Sequence, residues 1–114
     1  MKRGEVWRVS LDPTVGVEIK KSRTCVIVNR DALARLPLKI IVPLTAWRQE
    51  FEGAPWHVRV GKTEENGLSK ESSADTFQVR SISEERLVEK LGEITAPVMN
   101  AIDKGLALSL GLDH

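Results

Sequence analysis

A mainly β, α+β fold, in which a small antiparallel barrel carries a C-terminal helix, is predicted by three features of the 114-residue chain. Short apolar or alternating runs recur between turn residues, the spacing of small antiparallel barrels. Val98, Ile102 and Leu106 repeat every fourth position, the stripe of a helix laid on a core. The length suits one domain over residues 1–114, with one modest core.

Each element has its own signal. Residues 5–11 form the first strand, Trp7, Val9 and Leu11 alternating with Val6, Arg8 and Ser10. Asp12-Pro13 and Gly16 open a loop over 12–22, long for a hairpin, and long ordered loops tend to be functional. Residues 25–29 are apolar on both faces and read as a central strand. A connector over 31–38 leads to a third strand over 39–44, with Pro43 near its end, where a missing donor does least harm. Residues 46–55 read as a loop folded over the core or a dimer seam, and 56–60 as the fourth strand. The fifth spans 72–80, with Ala74, Thr76 and Gln78 on one face and Asp75, Phe77 and Val79 on the other. Ser83 caps one helical turn, and 87–94 return as a strand. Thr95 caps the helix, Pro97 lies harmlessly in its first turn, and Gly111 stops it.

Hydrophobic residues at 41% and charged residues at 29% make an ordinary globular mixture. No apolar run approaches the roughly 20 residues that span a bilayer, so no membrane partner is expected. The N-terminus lacks the apolar segment of a signal peptide, and the expected location is cytoplasmic. A lone Cys25 in an apolar strand excludes an internal disulfide and reads as a buried small hydrophobe rather than a nucleophile. Residues 1–62 hold 12 Lys and Arg against 6 Asp and Glu, whereas residues 63–114 hold 5 against 10. This basic excess suits an acidic partner, unless folding intermixes the halves.

Several chemistries lack their residues. There is no Gly-x-Ser-x-Gly elbow and no glycine-rich phosphate loop, and His57 and His114 without a Cys/His cluster offer no zinc site. No cofactor or metal is expected. His57 by itself reads as a structural or exposed histidine. The loop before the second strand is richer: it carries Glu18, Lys20, Lys21 and Arg23. An arginine at a strand's mouth can hold a phosphate, because its planar fork matches phosphate oxygens. Thr45, just past a second apolar strand, can bring a hydroxyl to the same place. Trp47 and Phe51, interleaved with Arg48, offer either base stacking or cover for the core.

Asp12-Pro13-Thr14, Gly16, Glu18 and Arg23 before a hydrophobic strand resemble the first hairpin of MazF/PemK-type toxins. Val42-Pro43-Leu44-Thr45, Gly67-Leu68, the run from Ser72 to Arg80 and Leu91-Gly92-Glu93-Ile94 extend the likeness over nearly the whole chain. One position departs: Thr24 stands where the family often has proline. The resemblance implies an SH3-like, CcdB-like barrel and a dimeric endoribonuclease of a toxin–antitoxin pair, cutting single-stranded mRNA without a metal. It implies Arg23 and Thr45 at the catalytic centre. Glu18 is the candidate proton acceptor or orienter of Arg23, because arginine's pKa above about 12 makes it a poor base. Lys20 and Lys21 would attract the RNA backbone, and Thr14, Val17, Asp75 and Gln78 are candidates for reading bases. An antitoxin tail would dock on Trp47 and Phe51 in a groove shared by a homodimer. The alternatives are a non-enzymatic gyrase poison of CcdB type, which the absence of a terminal tryptophan disfavours, and a barrel that binds RNA without cutting it.

Overall fold

A computed structural model of the chain describes residues 1–11 and 22–113, with the backbone alone for Ser22. The strands are β1 (Glu5–Ser10), β2 (Ser22–Ile27), β3 (Leu38–Ala46), β4 (His57–Val60), β5 (Ser72–Asp75), β6 (Arg80–Ser83) and β7 (Leu87–Glu93), followed by helix α1 (Ala96–Leu110). Among the described residues they form one antiparallel sheet in the order β4-β5-β3-β2-β1-β7, with β6 also paired to β3. The mainly β fold with a C-terminal helix is as predicted.

Apolar residues fill both sides of the sheet. Val6, Val26, Val42 and Leu44 pack with Ile102 of α1, while Val9, Cys25, Ile27 and Ile41 pack on the other side with Ile82 and Leu87. The period-two reading of the first strand holds, with Trp7, Val9 and Leu11 on one side and Val6 on the other. Val6 and Val9 are both fully buried, because β1 lies between β2 and β7 and is covered on both faces.

β2 starts at Ser22, earlier than predicted, so Arg23 stands on a strand opposite Val9 and not in a loop. β3 is longer than the predicted 39–44, and Pro43 lies inside it, opposite Cys25. The Val28 N–H donates to Ile40 O at 2.9 Å. Backbone groups of alternate residues point to alternate sides, so Pro43 turns its nitrogen away from β2. On that side β6 pairs with residues 38–41 and β5 with residues 44–46, and Pro43 falls between them. The missing donor costs no ladder bond there.

The predicted fifth strand over 72–80 breaks in two. Asp75 accepts the Phe77 N–H at 3.2 Å, capping a 3-10 turn over Thr76–Gln78. Thr76 Oγ1 donates to Trp56 O at 2.7 Å and lies 3.1 Å from Ser109 Oγ on α1. A Cβ on Gly105 would come within 2.9 Å of the Thr76 side chain, so the helix's glycine permits this contact. Tertiary packing at Thr76 overrides the local alternation.

The other caps divide. Ser83 accepts the Glu85 N–H at 3.3 Å, as predicted, in a 3-10 turn over Glu84–Arg86. Thr95 holds the N-cap position of α1 but makes no side-chain capping bond, contrary to expectation; its carbonyl accepts from Met99. Gly111 ends the helix with φ +73°. The segment after β4 spans the gap to β7, where the Glu93 N–H donates to Glu65 O at 2.9 Å. No helix among the described residues is long and apolar enough to cross a membrane.

Candidate functional site

Where β1 and β3 end and β2 begins, the sheet borders a cavity of about 340 Å³. Its apolar wall is Leu44, Leu68 and Leu91. Arg8, Arg23 and Lys70 bring cations, and Thr24, Thr45, Ser69 and Ser72 bring hydroxyls. No carboxylate lines it among the described residues. Such a lining suits an anion attached to a less polar body.

Arg23 and Thr45 meet here because of the β2–β3 register. Thr24 pairs with Leu44 at the end of the β2–β3 ladder, so Arg23 and Thr45 follow one step further along the two strands, both lining the cavity. Arg8 pairs with Thr24 across β1 and β2, on the opposite side of the pleat. Both sides reach the cavity at the strand ends. Arg23 is exposed, Thr45 half-buried, and Thr45 in turn pairs with Ser73 of β5.

The opposite wall depends on Asn66. Its Oδ1 accepts the N–H groups of Thr63 and Leu68, each at 3.0 Å, and its Nδ2 donates to Gly61 O at 2.8 Å. Thr63 Oγ1 accepts the Asn66 N–H at 3.1 Å. This buried amide shapes the segment that presents Gly67, Leu68, Ser69 and Lys70. Gly67, at φ +68°, lies so close to β7 that a Cβ would sit 2.2 Å from Leu91 O.

Asp75 and Gln78 come together outside the cavity lining. The turn at 76–78 replaces the predicted strand alternation, and Gln78 Nε2 donates to Asp75 Oδ2 at 2.9 Å. His57 joins them: its Nδ1 is 2.7 Å from Ser73 Oγ and its Nε2 is 4.0 Å from Asp75 Oδ2. Phe51 stacks on the His57 ring at 3.8 Å, and Trp47 meets Phe51 edge-on at 5.9 Å. Arg59 covers Trp47 at 4.7 Å. Trp47 and Phe51 thus form a third group, linked to Thr45 through His57 and Ser73. Thr14, Val17, Glu18, Lys20 and Lys21 lie outside the described residues.

The sequence reading gave no role to Arg8, Ser69, Lys70, Ser72 or Asn66. Two signals were available. Arg8 places a cation between Trp7 and Val9, and Asn66-Gly67 is a turn dipeptide. Cys25 is buried, and burial pushes its thiol up to about 12, which leaves it protonated and inert.

Known proteins resemble the chain over nearly its whole length. Residues 2–110 match the family of PemK-like, MazF-like toxins of type II toxin–antitoxin systems. Endoribonuclease MazF9 of Mycobacterium tuberculosis is 33% identical over 98% of both chains. Endoribonuclease EndoA of Bacillus subtilis is 30% identical over 98% of this chain and 96% of its own. An endoribonuclease from a mycobacterial species, solved with its cognate antitoxin, superposes with a TM-score of 0.78 at 26% identity, covering 98% of this chain and 96% of that one. MazF from Deinococcus radiodurans shares the fold at a TM-score of 0.81 and 22% identity, over 97% and 96% of the two chains. The chain belongs to the PemK-like, MazF-like toxins of type II toxin–antitoxin systems.

Proposed function

We propose that this protein is an endoribonuclease that cuts single-stranded mRNA at a short sequence and is restrained by a cognate antitoxin. The observation that carries the reading is that Arg23 and Thr45, just past the Thr24–Leu44 pair, line one cation- and hydroxyl-lined cavity. The endoribonuclease relatives, which span the whole chain, support it.

RNA supplies its own nucleophile. The 2′-oxygen attacks the adjacent phosphorus, giving up its proton to a base, while the bond from phosphorus to the 5′-oxygen breaks and that oxygen takes a proton. The products are a 2′,3′-cyclic phosphate and a 5′-hydroxyl. Arg23 neutralises charge on the non-bridging oxygens, and Thr45 donates a hydrogen bond to one of them. Glu18 is our candidate for the proton acceptor or for orienting Arg23. Since the nucleophile comes from the substrate, no metal is needed to create one.

The protein acts as a homodimer whose shared groove receives either RNA or an acidic, partly apolar antitoxin segment, with Trp47 and Phe51 as apolar anchors. Asp75 and Gln78, held to each other by the turn at 76–78, read a base near the cut, with Thr14 and Val17 from the first loop. Lys20 and Lys21 contribute backbone attraction without sequence preference.

The test is cleavage of a defined transcript in EDTA. The unaltered protein is expected to cut it and leave a 2′,3′-cyclic phosphate; loss of cutting on chelation would overturn the metal-free route. Arg23→Ala is expected to abolish cleavage with the fold intact, and Thr45→Val to slow it by roughly 10²–10³, the usual cost of a lost preorganised donor. Full activity of Arg23→Ala would remove that residue from the mechanism.

A further inference from the structure

Four observations concern the part of the cavity that Arg23 and Thr45 do not account for. Arg8 reaches the cavity from the other side of the pleat, beside Thr24. Its Nε and Nη2 both approach Glu89 Oε1, at 3.3 and 2.9 Å. Guanidinium has five N–H donors, so this anchoring fixes the plane and, among the described residues, leaves three unused. Lys70 faces the same space from the segment that Asn66 shapes, with Ser69 and Ser72 beside it. Leu44, Leu68 and Leu91 give the same cavity its apolar wall. Lastly, about 340 Å³ is near the lower end of ligand pockets, roughly 300–1,000 Å³, a size that suits one nucleotide unit.

We propose that this cavity seats the ribonucleotide next to the scissile bond, with Arg8 and Lys70 binding its phosphate and the leucine wall carrying its sugar and base. This rests on the endoribonuclease reading and extends it: Arg23 acts on the phosphate that reacts, whereas Arg8 and Lys70 bind one that does not. They are binding residues and not catalytic ones. Their contact is the same before and during the reaction, so it strengthens substrate binding without accelerating the chemical step.

The experiment compares Arg8→Gln, Lys70→Gln and a distant charge control, Lys104→Gln on α1, in cleavage of one single-stranded transcript at several salt concentrations. For each cavity variant, KM is expected to rise roughly tenfold, the worth of one charge-assisted hydrogen bond, with kcat within about twofold of the parent. The fall of log(kcat/KM) with log salt should become shallower by about 0.7 for each lost phosphate contact on a single strand. Lys104→Gln should match the parent in both readings. Unchanged KM and slope in both cavity variants would overturn the proposal while leaving the cleavage reading intact. So would an equal effect of Lys104→Gln, which would show a general charge effect. A collapse of kcat at constant KM would place these residues in the chemistry and also overturn it. If Arg8→Gln unfolds for loss of its Glu89 pair, the exposed Lys70 decides the matter by itself. A parent protein that leaves RNA uncut would sink the endoribonuclease reading, and this assignment with it.

Discussion

Cys25 lies two residues beyond Arg23 and differs from it in every physical respect. It is opposite Trp7 on one side and Pro43 on the other, fully buried, with a thiol pushed from 9.0 up to about 12 by burial. The unfolded chain releases this proton near pH 9.0, whereas the folded protein keeps it until about pH 12. Its contribution to stability is therefore fully present below pH 9.0 and is lost progressively as pH rises towards 12. At about pH 10.5 the loss should reach roughly 2 kcal/mol. Urea unfolding of the parent and of Cys25→Ala checks this: between neutral pH and that point the parent should lose the extra stability and the variant should not. Parallel pH profiles would show an ordinary thiol. Arg23 was recognisable from its neighbours in sequence, but its place on β2 was not. Ser22, Arg23 and Thr24 are polar enough to read as loop, and pairing with Val9 and Leu44 recruits them into the strand.

At the scale of elements, the meeting of β7 with the segment after β4 decides whether the cavity has a second wall. A Cβ on Gly92 would sit 2.1 Å from Glu65 O, and the obstructing atom is backbone. Gly92→Ala must push the two segments apart and break the bond from the Glu93 N–H to Glu65 O. We expect a loss of about 3 kcal/mol, the upper part of the overpacking range. That corresponds to a fall of about 15 °C in Tm for a domain of this size. Gly53→Ala, with nothing within 4 Å of the new methyl, should stay within about 0.5 kcal/mol. Thermal unfolding followed by circular dichroism separates the two, and equal midpoints would refute the steric account. Glycines at 67 and 92 could be marked as special from the sequence. That they would meet could not, since β4 and β7 stand at opposite ends of the sheet order and only the segment after β4, crossing to β7, brings the two glycines near. The 72–80 run makes a similar point. Its alternation is local and real, yet Asp75, Thr76 and Gly105 together convert its middle into a turn.

For the whole molecule, the extents of 35 × 33 × 31 Å leave a cavity sized for one nucleotide unit at the end of a sheet. A base paired and stacked in an A-form helix cannot enter it without first being freed, which costs a few kcal/mol. The same target sequence placed in a perfect duplex should therefore be cut about a hundredfold more slowly or worse, assuming that strand opening is the barrier. Equal rates on single-stranded and duplex substrates would exclude a seat for an unpaired nucleotide. The sequence by itself determined the mainly β class, the C-terminal helix and the family likeness, and it singled out Arg23 and Thr45, because periodicity, turn residues and short motifs are properties of neighbours along the chain. Only the tertiary structure decided that β3 would be shared by β5 and β6, that Asp75 and Gln78 would meet at a turn, and that Arg8 and Lys70 would face one cavity. Those juxtapositions depend on register and burial summed over distant strands, and no local stretch of sequence carries that sum.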